Sequence, residues 1–169
     1  MKKVLLVVII MVIYMMIGHI AVESELIPDD AIRIRVIASS DDKNDQEVKL
    51  EIKKELETYF FNLLKDIKGV SNASSMIKNS IPEVEEIVSS IAKNNNFDVN
   101  YGMNYFPAKE YKGVTYKEGY YESLVVTLGK GNGQNWWCVL FPPLCLLENN
   151  GMEEVEYRSF VADFVKKYF

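Results

Sequence analysis

Histidine is all but missing from this chain. The 169 residues contain one, His19, and it lies inside an N-terminal apolar run. A Ser-His-Asp triad and a Cys-His dyad both take imidazole as the base near neutral pH, so the body of the chain can hold neither. Cysteine is nearly as scarce. Cys138 and Cys145 are the two present, too few for a zinc site with no histidine to draw on. Among catalytic schemes, a carboxylate pair and lysine chemistry survive. An excess of basic charge is also absent. Setting aside residues 1–22, which hold Lys2, Lys3 and no acid, 17 basic and 24 acidic side chains remain, a net charge of −7. A surface of that sign is a poor match for nucleic acid or anionic lipid. The sequence has no internal repeat and no low-complexity tract.

What is present begins with an export signal. Lys2 and Lys3 precede an unbroken apolar run from Val4 to Ile17, and the first acid is Glu23. A basic start, an apolar middle and a small-residue exit describe a secretory signal peptide. Ala21 would be the last residue removed, but His19 stands where a small residue is wanted. Counting through Gly18 and His19, the stretch nearly reaches the roughly 20 residues that span a bilayer, so an uncleaved anchor is the alternative. Either way, residues 1–22 are expected to be the signal or anchor helix, 23–30 a polar connector, and 31–169 one exported domain. The domain is large enough to bury a core of its own.

Periodicity outlines that domain. In "AIRIRVIA" the residues Ile32, Ile34 and Val36 alternate with Arg33 and Arg35, which predicts a strand. Val48, Ile52, Leu56, Tyr59, Phe60, Leu63 and Ile67 recur at steps of three and four, predicting an amphipathic helix over 45–68 with Gly69 beyond its end. A second helical region follows, with Pro82 in a first turn after Ser80 and a stripe of Val84, Ile87, Val88 and Ile91. Aromatic and β-branched residues then predict strands near 97–105, 120–128 and 135–141, joined as antiparallel hairpins or a meander. A last helical face carries Tyr157, Phe160, Val161, Phe164, Val165 and Tyr168. The expected fold is α+β: a mostly antiparallel sheet of about four strands with about three helices on one face, in the order β-α-α-β-β-β-α.

Chemistry concentrates in few places. "SSDDKNDQE" (39–47) lacks the glycine and late Glu of a calcium loop and reads as helix capping, so no metal is expected. Arg33 and Arg35 read as a solvated or salt-bridged sheet face, with an anion site as the sharper alternative. Gly129, Gly131 and Gly133 lack the order of a phosphate loop and read as a turn between strands. "NWWCVLFPPLC" (135–145) is the densest signal. Along a strand Trp136 and Trp137 face opposite ways, so one enters the core and the other points out unless something covers it. Asn135, Trp136, Trp137, Phe141, Pro142 and Pro143 are therefore the candidate partner contacts. A Pro-Pro turn could bring Cys138 and Cys145 to the roughly 5.5 Å Cα spacing of a disulfide. Two buried thiols are the alternative, and a reactive cysteine has no histidine to activate it.

"GNGQNWWCVLFPPLC", together with "IRIRVIASSDDKNDQEVKL" and "YFPAKEYKGVTYKEGYYESLVVTLGKG", resembles the stage II sporulation protein R family from about Ile32 to Cys145. The resemblance implies a non-enzymatic signal of endospore formation that needs no cofactor. Such proteins are made in the forespore and exported into the space between its membrane and that of the mother cell. There they trigger a membrane-embedded aspartic protease of the mother cell, which processes the precursor of sigma-E. The competing expectation is an exported cell-wall hydrolase with Glu118 and Glu122 as its carboxylate pair.

Overall fold

The computed structural model describes residues 27–93, 96–111, 114–144, 161–163 and 165–168. The signal or anchor segment expected over 1–22 lies outside them. Strand β1 (Ile32–Ile37) is followed by helices α1 (Lys43–Leu64), α2 (Val70–Asn79) and α3 (Ile81–Ala92). Then come β2 (Phe97–Phe106), the short strands β3 (Lys109–Tyr111) and β4 (Val114–Tyr116), β5 (Gly119–Leu128) and β6 (Asn135–Phe141). The fold is α+β, as the periodicity predicts. The main sheet has the order β2-β5-β1-β6, and β3 pairs with β4 in a two-stranded ribbon of its own.

The connectivity differs from a meander in one respect. β2 pairs antiparallel with β5, but β5 and β6 are not neighbours; β1 lies between them, parallel to β5 and antiparallel to β6. The reason is burial. β1 is buried on both faces, at Ile32, Ile34 and Val36 on one and Arg33 on the other. A strand with two buried faces belongs in a sheet interior. The loop carrying Gly129, Gly131 and Gly133 is therefore a crossing over the end of β1 and not a hairpin turn. Its Gly133 N–H donates to Ala38 O at 3.0 Å, and its Asn132 N–H donates to Ser39 O at 3.2 Å. Glycine is required there: a Cβ on Gly133 would lie 2.2 Å from the Ser40 carbonyl oxygen. Gly129 adds a positive φ of 54°.

α1, α2 and α3 cover one face of the sheet. Ile52, Leu56, Phe60 and Leu64 of α1, Ala73 and Ile77 of α2, and Val84 and Val88 of α3 pack on Ile34, Val36, Leu124 and Val126. This is the stripe that the three-and-four spacing marks out. Pro82 occupies the first turn of α3, where its missing N–H removes no helical bond. Gly69 does not end α1, which stops at Leu64; with φ of 80° it begins α2. Asp45 lies in the first turn of α1, as expected of an acid there, but the acids around the helix start make no side-chain cap bond. Asp42 stands at the cap position without a side-chain cap bond. Asp41 Oδ1 instead accepts the Gln134 N–H at 2.7 Å, and Asp45 Oδ2 accepts from Ser40 Oγ at 2.6 Å. The first bond ties the approach to the helix to the crossing loop, and the second is local to the helix start.

The opposite face has a core of its own. Ile27, Ala31, Val114, Tyr116, Val139, Leu144, Val161 and Val165 form a second cluster, with Trp137 packed against it. The C-terminal helical residues thus reach both sides: Val161 and Val165 join this second core, while Tyr168 stacks edge-on against Phe141 in the first. Of the expected last stripe, Tyr157, Phe160 and Phe164 lie outside the described residues.

Candidate functional site

β6 carries the tryptophan motif at one edge of the sheet. Its register against β1 puts Trp136 opposite Val36 and Trp137 opposite Arg35. The two indoles leave the strand on opposite faces, as the pleat requires. Trp136 goes to the helix side, where the Lys53 ammonium sits 5.0 Å from its ring centroid and the Lys53–Glu57 pair closes to 3.6 Å. Its indole nitrogen is buried with no hydrogen-bond partner among the described residues.

Trp137 goes to the other side, into a box of aromatic and cationic groups. Tyr116 and Phe106 meet its ring edge-on, with centroids 5.4 and 5.6 Å away. Lys109 Nζ and Arg33 Cζ lie 5.0 and 5.5 Å from its centroid. Arg33 itself is 2% exposed, with Cζ stacked 3.4 Å from the Tyr121 centroid, and Arg35 Cζ lies 4.8 Å from that of Phe106. Guanidinium groups are planar and weakly hydrated, so stacking on aromatic rings is how they are buried at least cost. This overturns the reading of Arg33 and Arg35 as a solvated face. The ribbon β3–β4 and the second core cover them.

The burial still has an electrostatic cost. Removal from water pushes the pKa of both arginines down from the ordinary value. Arg33 Nη2 donates to Lys117 O at 3.4 Å, while Arg33 Nε and Nη1 and Arg35 Nε have no hydrogen-bond partner among the described residues. Beside Arg33, a cavity of about 10 Å³ lined by Asp29, Thr115, Tyr116, Lys117 and Tyr121 has room for about one water.

Of the six candidate partner contacts, Asn135 is exposed, Trp136 and Trp137 are half-buried, and Phe141, Pro142 and Pro143 are buried. The last three build the interior and offer a partner no surface. Cys138 is half-buried on the helix side of β6, its thiol 3.6 Å from Val139 O. Its expected disulfide partner, Cys145, lies outside the described residues. The carboxylates of the hydrolase reading are held as acceptors. Glu122 Oε1 takes Ser74 Oγ at 2.6 Å and Tyr101 OH at 2.9 Å, joining α2, β2 and β5. Glu118 Oε2 takes Tyr105 OH at 3.2 Å. Among the described residues, no three His, Cys, Asp or Glu side chains are grouped to hold a metal.

Sequence reasoning missed Phe106, Tyr116, Tyr121 and Lys109. The signal was available in "YFPAKEYKGVTYKEGYY", where aromatics recur on both sides of a turn. A ribbon of that composition has an apolar face that must cover something.

Fold and site together define an α+β domain whose second face is closed by an aromatic and arginine stack. The family model for stage II sporulation protein R matches residues 28–151. The chain belongs to that family, and its role lies in sporulation. It is 37% identical over 138 residues to stage II sporulation protein R of Bacillus subtilis (strain 168), an alignment covering 79% of this chain and 62% of the relative. The chain thus spans less than two thirds of that relative's length. No solved structure matches it.

Proposed function

We propose that this chain is the exported forespore signal of endospore formation. It crosses into the space between forespore and mother-cell membranes, secreted or held by its N-terminal segment. There it binds a membrane-embedded aspartic protease of the mother cell, and that binding leads to processing of pro-sigma-E. The family match over residues 28–151 carries the reading. The physical character of the domain supports it. Its one conspicuous motif is built into structure, with Trp137 boxed by Tyr116, Phe106 and Arg33, as a protein that works by presenting a surface would have it. Activation then follows if the chain binds the active arrangement of the protease better than the inactive one. The cell-wall hydrolase has less support, since Glu122 Oε1 already accepts two structural hydrogen bonds.

The test is reconstitution in cells that do not sporulate, expressing the protease and pro-sigma-E. Export of this chain should produce mature sigma-E, read by immunoblot, and retention in the cytoplasm should not. Mature sigma-E made equally with and without the chain would refute the reading. Clearing of peptidoglycan by the purified domain, abolished by Glu118→Gln, would favour the hydrolase instead.

A further inference from the structure

Among the described residues β2 is the other edge of the main sheet, with β5 as its one neighbour there. It is ten residues long and pairs with β5 without a bulge, from Phe97↔Leu128 to Phe106↔Gly119. In an antiparallel pair half the backbone groups of an edge strand point away from the sheet. Natural edges of this length are usually blunted by lysine, proline or a bulge, because a bare edge recruits another strand. "FDVNYGMNYF" has none of these.

The side chains along this edge are also exposed. Met103 is 64% exposed, Tyr105 47% and Tyr120, opposite Tyr105 on β5, 70%. Among the described residues these are three of the five large hydrophobic side chains left in solvent, and they adjoin one another. Tyr105 and Tyr120 meet edge-on at 5.6 Å, and Glu118 accepts the Tyr105 hydroxyl. The charge here has one sign. β2 and β5 contribute Asp98 and Glu122, Glu118 precedes β5, and neither strand has a Lys or Arg. Lys117, next to Glu118 in sequence, lies outside both strands; its backbone carbonyl accepts from Arg33 and Tyr121.

From this we infer that the β2 edge is where the partner docks. It does so by adding an extended segment to the sheet, with apolar side chains over Met103, Tyr105 and Tyr120 and a Lys or Arg against Glu118. Main-chain bonds would supply affinity and alternate side chains specificity. Charge decides the occupant: a second copy would bring the same acids and no cation to its own edge, whereas a basic segment complements it. The inference rests on the proposed function, with the extracytoplasmic part of the protease as the source of that segment. It moves the contact from the tryptophan edge to the opposite edge.

The experiment uses the same reconstituted cells and the full exported chain. A photo-crosslinker placed at position 105 should capture the protease through a segment bearing Lys or Arg, and one at position 50 on α1 should not. The variant Met103→Lys/Tyr105→Lys changes only exposed positions. It should be exported at the wild-type level and lower sigma-E processing at least about tenfold, the size expected for loss of a central contact. Leu50→Lys, the same change at another exposed apolar residue, should process normally. Full processing by the double variant, or a crosslink from position 105 to a second copy or to nothing, overturns the inference. A wild-type chain that triggers no processing refutes the proposed function, and that result is seen before any variant is made.

Discussion

Ile34 and Arg33 are neighbours on β1, exposed by 1% and 2%, and they face opposite sides of the sheet. Ile34 belongs to the core that the aliphatic side chains of three helices build against the sheet. Arg33 is enclosed by Tyr121, Phe106 and Trp137, rings that tolerate a cation. One face is closed by regular helices whose spacing is written in the sequence. The other is closed by a three-residue-per-strand ribbon, a chain segment before β1 and a few C-terminal residues. Equal burial therefore conceals unequal energetics. Removing an aliphatic group from the first face loses transfer free energy and leaves a cavity. Removing the guanidinium from the second also relieves a desolvated charge.

The largest expected effect tests the helix-covered face. Ile34→Ala should lower unfolding free energy by about 3 kcal/mol, measured by urea unfolding with tryptophan fluorescence. A loss below about 1 kcal/mol would mean that the helices collapse onto the gap and that this face is not tightly packed. Next comes the crossing loop that lets β1 stand between β5 and β6. Gly133→Ala sets a Cβ against the backbone carbonyl of Ser40, which has no rotamer to escape into. It should cost about 2 kcal/mol, in the range of overpacking. An unchanged midpoint would show that the loop lifts off β1 freely.

Arg33→Met divides the two faces most directly. Methionine fills a similar length without charge, so stability should hold within about 1 kcal/mol or rise. A loss as large as that of Ile34→Ala would show that the guanidinium is itself the brace of the second face, and that its stacking outweighs its desolvation.

The same contrast explains what was legible in the sequence. The helices and long strands follow from periodicity, because each presents one apolar stripe to one core: Ile52, Leu56 and Phe60 are spaced for it. The second face defeats that reasoning. Alternating Ile and Arg in β1 is the pattern of a half-solvated strand, and nothing local in "IRIRVI" says that rings from Phe106, Tyr116, Tyr121 and Trp137 will cover the arginines. Those residues are 71 to 104 positions away, and their convergence is a property of sheet order. Sheet order is also what separates β5 from β6, since a glycine-rich loop of six residues can serve a hairpin or a crossing equally. At the candidate site the motif was legible, but the role of its members was not: the burial of Phe141, Pro142 and Pro143 depends on what packs over the strand end.

The smallest effect concerns pH and belongs to the helix-covered face. Burial, ahead of the nearby Glu122, raises the pKa of Tyr101, and burial likewise raises that of Tyr168. Below about pH 10 both tyrosines keep their protons in folded and unfolded chains, so they add no pH dependence there. Above it the unfolded chain releases them first while the folded chain still holds them. Unfolding is then favoured by rising pH, and the stability present at neutral pH is lost progressively through the alkaline range. Tyr101→Phe has no proton to lose and keeps the ring in place. It gives up the hydroxyl's bond to Glu122 Oε1 but leaves that oxygen bonded to Ser74. The variant should start slightly less stable at pH 7 and show a shallower decline above pH 10 than the wild type, in urea titrations taken at half-unit steps. A decline of equal slope would assign the alkaline limit elsewhere, with Tyr168→Phe as the next variant to separate the C-terminal residues from β2.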